Sequence, residues 1–330
     1  MAANHCLTPY GLETVVGSGA SGIVHSIDEL TVGKLIPIAD VPLEVSAPGD
    51  FVSVRYLGQG KILIGSQLFL LQDQPYRQMH LAQKETAILK SLLGVPGIVQ
   101  IRGTHFVNIE GTLNYVIALH LVPGKDFQEL SDEPYSLADV GKMLFDMTII
   151  LSELGSKGII HSDVKPENIM YQEGEVCGTG KTTLIDFSAA HYANTIDKEY
   201  ITSTVEYASP EHLRDSLTLK SDVFSLGVVA RTLLLWGEEL TERHRFRSKD
   251  GIHKAHLRYL HHYTNRNRDV LVIDMNRRGI PAELSRAVGI CLDSDPVQRT
   301  AEALCEETYK LAQGRYSADF YQFHHHRFLH

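Results

Sequence analysis

The chain has 330 residues, a formal net charge of −9, 43% hydrophobic and 22% charged residues. That length exceeds what one hydrophobic core usually takes, so two lobes or domains are expected, and the acidic balance argues against wholesale nucleic-acid binding while leaving room for a local basic patch. Four scattered cysteines (Cys6, Cys177, Cys291, Cys305) without a CxxC pair suit free thiols in a reducing compartment, no apolar run is long enough to span a membrane, and MAANHCLTPYGLE lacks the pattern of a signal peptide, so a soluble cytoplasmic protein is expected.

Residues 12–24, LETVVGSGASGIV, place a glycine-rich turn between two apolar strands. Gly17, Gly19, Gly22 and Val24 fit G-x-G-x-x-G-x-V, with Ser18, Ala20 and Ser21 completing the turn. Glycines there let backbone N–H groups approach phosphate oxygens. A dinucleotide-binding turn needs a helix after the third glycine, whereas Ile23–Ile27 reads as strand. A third strand over residues 30–38 carries Val32 and Lys34. Residues 39–50 form a Pro- and Gly-bearing loop, and a hairpin pairs residues 51–56 with 61–65 around Leu57-Gly58-Gln59-Gly60. Met79, Ala82, Ile88, Leu89 and Leu92 predict a helix over residues 76–93, with Glu85 its best-placed carboxylate and Asp73 ahead of it. Short strands are expected at 98–102 and 105–107, a longer one at 113–121, and a buried helix over 136–157, capped by Ser136.

Residues 158–187 hold His161, Asp163, Lys165, Asn168 and Asp186 within one span. Two short strands, 169–171 and 183–185, flank a glycine-rich loop, and Asp186 follows the second directly. Phosphoryl transfer needs a carboxylate near the attacking hydroxyl, a cation on the transferring phosphate and oxygen ligands for Mg²⁺. Asp163 suits the first role, Lys165 the second, and Asn168 with Asp186 the third; two protein ligands suffice because Mg²⁺ keeps waters and phosphate oxygens. Residues 178–182, GTGKT, mimic part of a P-loop, but Glu175 occupies the first glycine position and a strand follows instead of a helix, so a hairpin turn is expected.

The stretch from His161 to Phe187 resembles the catalytic and metal-binding loops of eukaryotic-type serine/threonine protein kinases, H-R-D-x-K-x-x-N and D-F-G, with Ser162 where Arg is usual and Ser188 where Gly is usual. The resemblance implies an α+β, bilobal fold: a small antiparallel β lobe with one main helix, residues 12–121, over a larger helical lobe, residues 122–315, with ATP in the cleft. Residues 1–11 precede these lobes and 316–330 follow them. It further implies that Lys34 pairs with Glu85 and holds the phosphates, that Leu119 is the gatekeeper-like residue, and that His120 to Val122 form the adenine hinge. Asp126 then approaches the ribose, while Val24, Val32 and Met170 sandwich the base. His161 packs on Phe187, Asp222 accepts hydrogen bonds from the catalytic-loop backbone, and Glu211 of Ser209-Pro210-Glu211 pairs with Arg299. Ser203-Thr204-Val205-Glu206-Tyr207 is similar to the G-T-x-x-Y segment of serine/threonine kinases.

The implied activity is transfer of the ATP γ-phosphate, with Mg²⁺ or Mn²⁺, to Ser/Thr hydroxyls of a protein substrate. Without an Arg at position 162, activity is expected not to need a phosphate on Thr195, Thr202 or Ser203. The chain departs from the family at residues 39–75, read as a small-lobe insertion, and at the basic, His-rich residues 239–269; either is a place for a regulatory partner. Two rivals stay open. One is a pseudokinase that binds nucleotide or partners without turnover, which Ser188 mildly favours. The other is a kinase-like phosphotransferase acting on a lipid or small molecule. The non-standard small lobe and Ser162 also suit a bacterial effector delivered into a host cell, or a viral kinase.

Overall fold

The computed structural model describes residues 15–19, 22–40, 54–59, 61–64, 67–109, 111–129, 137–175, 180–196, 204, 206–212, 216–235 and 268–312. The chain divides into two compact units: residues 1–94 with 99–122, and residues 95–98 with 123–330.

The first unit is built on a five-stranded antiparallel sheet. Strands β1 (Val15–Gly19), β2 (Gly22–Asp28) and β3 (Thr31–Asp40) form a meander, and β7 (Ile101–Ile109) with β8 (Thr112–His120) complete the order β1-β2-β3-β8-β7. The Asp28 carboxylate shapes the β2–β3 turn by accepting from the Leu30 amide at 2.8 Å and the Thr31 hydroxyl at 2.9 Å. Because strand side chains alternate, the pairs Val32–Leu119, Lys34–Ile117 and Ile36–Tyr115 share one face, while Leu35 and Val116 pack with Val107 on the other.

Residues 101–109 form one strand where two short ones are expected from the sequence. Gly103 sits at a register shift opposite β8, so the ladder bends without ending. Ile98 makes an isolated parallel bridge to Leu184 within the second unit.

A separate three-stranded sheet is formed by β4 (Val54–Gly58), β5 (Lys61–Ile64) and β6 (Gln67–Leu70). Its hairpin turns at Gln59, with a left-handed φ of 51°, but the first strand lies two to three residues later than the sequence pattern suggests, and β6 is an addition to it. Helix α1 (Asp73–Ser91) buries Met79, Ala82, Glu85, Thr86, Ile88 and Leu89. It starts three residues before Tyr76 and includes Asp73, because Pro75 lies in the first turn, where the missing N–H has no intrahelical acceptor to lose.

The second unit contains β9 (Lys125–Asp126), α2 (Leu137–Ser156), β10 (Ile159–Ile160), β11 (Ile169–Gln172), β12 (Lys181–Leu184), β13 (His191–Tyr192), α3 (Ser221–Leu234), α4 (Arg268–Arg277), α5 (Ala282–Cys291) and α6 (Ala301–Ala312). Strands β12, β11 and β9 form one antiparallel sheet, and β10 pairs with β13 in another. All fourteen residues of α3 are buried, and it crosses α5 closely: a Cβ on Gly227 would stand 2.4 Å from the Cys291 Cβ. Gly124, at φ +103°, lets the chain entering β9 pass where a Cβ would meet the Tyr171 carbonyl oxygen at 2.2 Å. Burial pushes the Cys291 thiol up to about 12, so it packs as a small apolar group. Ser136, Cys6, Cys177, Trp236, residues 239–267 and the terminal segments lie outside the described residues. No helix among the described residues is long and apolar enough to cross a membrane.

Candidate active site

In the first unit, the β1–β2 hairpin sets Gly19 opposite Gly22 and Gly17 opposite Val24, so the glycine pattern spans the end of a two-stranded ribbon. The backbone of Ser18 pairs with Ile23 in that ribbon, while Ala20 and Ser21 lie outside the described residues. On β3, Lys34 is buried at 4% exposure, and its Nζ lies 2.9 and 3.0 Å from the two carboxylate oxygens of Glu85, itself 2% exposed. Burying either charge alone would be costly, so the pair is kept together by the desolvation each would otherwise suffer. Val32 and Leu119 are buried cross-strand partners on the same sheet face as Lys34, and Val24 is half-buried. At the end of β8 the His120 amide donates to Gln100 O at 2.8 Å and the Leu121 amide to Leu30 O at 2.9 Å; Val122 follows, half-buried.

In the second unit, the residues after β10 form a dense polar cluster. Asp163 Oδ2 lies 2.9 Å from Lys165 Nζ and accepts from Asn168 Nδ2 at 3.1 Å. Asp163 Oδ1 accepts from both the amide and the hydroxyl of Thr204, at 2.9 and 2.8 Å, and Lys165 Nζ donates to the same hydroxyl at 3.1 Å. A second Asn168 Nδ2 bond, 2.8 Å to Asp163 O, closes the loop on itself.

This loop is held from below by Asp222, the buried second residue of α3. Its two carboxylate oxygens accept from the amides of His161 and Ser162 at 2.7 and 2.9 Å. Burial pushes the Asp222 carboxyl up from its ordinary value, against the pull of the two amides it accepts from. The fully buried His161 ring meets Phe187 edge-on at 4.8 Å. Because its Nδ1 accepts from the Asp163 amide at 3.3 Å, the proton sits on Nε2, which donates to Ile185 O at 3.0 Å. Ser162 and Asp186 take left-handed φ values of 69° and 56°, a conformation that costs on the order of 1–3 kcal/mol and concentrates where a site over-determines the backbone. The Asp186 carboxylate accepts from the Ser188 amide at 3.3 Å.

Burial alone would raise the Asp163 carboxyl, but the Lys165 ammonium and the Thr204 donors outweigh it and hold the group below the usual carboxylate value. Burial likewise works to lower Lys165, and the carboxylates of Asp163, Glu167 and Asp186 hold it above the usual lysine value. The cluster therefore keeps one ionised carboxylate beside one permanent cation. Asn168 directs Nδ2 at Asp163 O and Oδ2, which points its amide oxygen the other way; with the Asp186 carboxylate this is a hard, oxygen-only donor pair that fits Mg²⁺. Met170 and Asp126 face each other in register on β11 and β9, and Asp126 Oδ1 is engaged by the amides of Gln128 and Glu129 at 2.8 and 2.7 Å.

Further along, Glu211 Oε1 lies 2.5 Å from Nη1 of Arg299, whose side chain is completely buried; Arg299 also donates to Asp293 O at 2.8 Å and stacks 4.8 Å over the Phe224 ring. Sequence reasoning used Thr204 only as a mark of substrate class and did not place it against Asp163. The signal was its position two residues before Glu206-Tyr207, in a segment with no periodicity to orient it.

The protein kinase domain family model matches residues 67–310, well over half of the chain, and the chain belongs to that family. Its bilobal α+β fold is that of a protein kinase. Relatives include CDPK-related kinase 8 of Arabidopsis thaliana, 27% identical over 53% of this chain and 28% of the relative. A probable serine/threonine-protein kinase of Corynebacterium efficiens is 28% identical over 68% of this chain and 30% of its own. Ribosomal protein S6 kinase beta of Caenorhabditis elegans is 28% identical over 68% and 43% respectively. The chain thus spans less than half the length of each of these relatives. The family match begins after β5, so the glycine turn and Lys34 lie outside it.

Proposed function

We propose that the chain is an ATP- and Mg²⁺-dependent serine/threonine protein kinase. The observation that carries the reading is the Asp163–Lys165–Thr204–Asn168 cluster: a carboxylate held ionised, a cation beside it, and a threonine hydroxyl bonded to both. In this reading Asp163 orients the acceptor hydroxyl and takes its proton, and Lys165 stabilises charge on the transferred phosphate. Lys34, fixed by Glu85, holds the α and β phosphates, and Gly17–Gly22 cover them. Asn168 and Asp186 hold Mg²⁺ or Mn²⁺, which neutralises phosphate charge when bound. Val24, Val32, Leu119 and Met170 contact adenine and Asp126 the ribose. Since the amides of His120 and Leu121 are engaged internally, the hinge donor to the base is the Val122 amide.

Ser162 is buried and too short to receive a phosphate from the activation segment, which supports turnover without phosphorylation at Thr195, Thr202 or Ser203. Mapping phosphopeptides of active enzyme, before and after phosphatase, checks this; a fully occupied site whose removal abolishes turnover overturns it. The main test is transfer of labelled γ-phosphate to a generic protein substrate by wild type beside Asp163→Asn. Label on protein, lost in the variant, supports the kinase. Nucleotide binding without transfer supports a pseudokinase, and ATP consumption without protein labelling redirects the search to lipids and small molecules.

A further inference from the structure

Helix α1 delivers Glu85 to Lys34, yet most of what holds α1 to the sheet is apolar: Met79, Ala82, Ile88 and Leu89. The apolar stripe turns one face of α1 toward the strands, but burial is non-directional and resists small rotations within that face only weakly. Polar contacts refine that rotation, and two of them come from consecutive residues. Glu85 reaches β3 through Lys34, and Thr86 reaches β8 through the Tyr115 hydroxyl, 3.1 Å from its Oγ1.

Consecutive helical residues diverge by about 100° around the axis, so two such bonds, to two neighbouring strands, define a single rotation. The geometry on the sheet side agrees. Lys34 pairs in register with Ile117 and Ile36 with Tyr115, which places Lys34 and Tyr115 on the same face, one pair apart. Proton direction is also settled. The Thr86 hydroxyl gives its one hydrogen to Ala82 O at 2.9 Å, so Tyr115 donates to Thr86. Both residues are buried, at 6% exposure each, so water does not compete freely for the bond, and the Tyr115 ring is braced edge-on by Phe106 at a centroid distance of 5.1 Å.

We propose that Thr86 and Tyr115 are a positioning pair that sets the rotation of α1 and so keeps Glu85 on Lys34. The pair acts through Glu85 and touches no reactant; its catalytic consequence rests on the kinase reading above. It gives the small lobe a helix position built into its own core.

The test compares Tyr115→Phe and Thr86→Val, which remove one oxygen each at nearly constant shape, with Thr86→Ser, which keeps the hydroxyl. With full-length protein and ATP·Mg²⁺, either deletion is expected to lower kcat about tenfold or more, with KM for ATP within about threefold, because slight misplacement of a phosphate-holding group weighs on the transition state. The double variant is expected to fall no further than either single one, and Thr86→Ser to stay within about twofold of wild type. Crystal structures of wild type and Tyr115→Phe form the second arm, with the Lys34–Glu85 separation expected to open past hydrogen-bond range in the variant. A folded Tyr115→Phe protein with unchanged kcat, or with the Lys34–Glu85 contact intact, overturns the proposal. Wild-type protein that transfers no phosphate sinks the kinase reading instead, and the crystallographic arm still decides what holds Glu85.

Discussion

The amide and the hydroxyl of Thr204 converge on one oxygen of Asp163 across 41 residues of chain, and that same hydroxyl accepts from Lys165. Thr204 is therefore the third corner of the carboxylate–ammonium pair. Thr204→Val keeps the amide bond and the side-chain volume but removes both hydroxyl bonds. Hydrogen bonds to charged groups are worth about 1.5–3 kcal/mol, so phosphoryl transfer is expected to drop roughly 10–100-fold, while Thr204→Ser retains most of it. Steady-state rates at saturating ATP check this. A valine variant at wild-type rate would mean that the contact merely ties the segment down.

The directions of the two shifts in this cluster set its pH behaviour. Asp163 is held below its ordinary value, so its contribution to stability is present above the unfolded carboxylate value of about 4 and is lost as pH falls through the lower folded value. Lys165 is held above its ordinary value, so its contribution is present below about 10.4 and is lost only as pH rises through the higher folded value. Across the range between, the pair stays charged on both members. Turnover is expected to be flat from about pH 6 to about pH 9 as far as these two groups decide it. An acid limb near neutrality that disappears in Asp163→Asn with residual activity retained would contradict this.

The parts of the site legible in the sequence are those packed into one span. Asp163, Lys165, Asn168 and Asp186 lie within 24 residues, and their chemistry can be read from type and order alone. Lys34 and Glu85 were paired by resemblance, and the structure brings them together because both lie on periodic elements whose buried faces can be predicted. Contacts made by aperiodic segments were not legible: the Thr204 hydroxyl sits in a stretch with neither helical nor strand spacing. The Thr86–Tyr115 bond was hidden for a different reason. Each residue fits its element's pattern as an ordinary buried position, and only the three-dimensional register shows that their oxygens meet. Strand β6 was missed because four residues, QLFL, carry too little alternation to be told from the approach to α1.

Ser162 offers a separate test of backbone strain. Its φ of 69° is one that β-branched residues avoid, and its buried Oγ has no hydrogen-bond partner among the described residues. Ser162→Ala removes an unsatisfied hydroxyl and is expected to leave stability unchanged or raise it by up to about 1 kcal/mol, with activity retained. Ser162→Val forces a branched side chain into the same conformation and is expected to cost about 2 kcal/mol or more. Denaturant midpoints of the two variants at constant m-value are the measurement. Equal losses in both would point to a role for the hydroxyl that the packing does not reveal.

Among the described residues, Arg299 is the largest fully buried side chain and the point at which Glu211, α3 and the turn at Asp293 are joined. Its guanidinium divides its donors among Glu211 Oε1, Asp293 O and Lys220 O while its plane lies over Phe224. No ammonium can copy that planar fork, so Arg299→Lys is expected to lose nearly as much stability as Arg299→Met, about 3–5 kcal/mol, because either change leaves the buried Glu211 carboxylate short of its partner. Glu211→Gln in the Arg299→Met background then removes the orphaned charge and is expected to recover part of that loss, so the double variant is more stable than the sum of the single changes implies. Chemical denaturation of the four proteins of this cycle supplies the numbers. Additive losses would show that the two side chains stabilise the lobe independently, through packing alone, and that their ion pair is incidental to it.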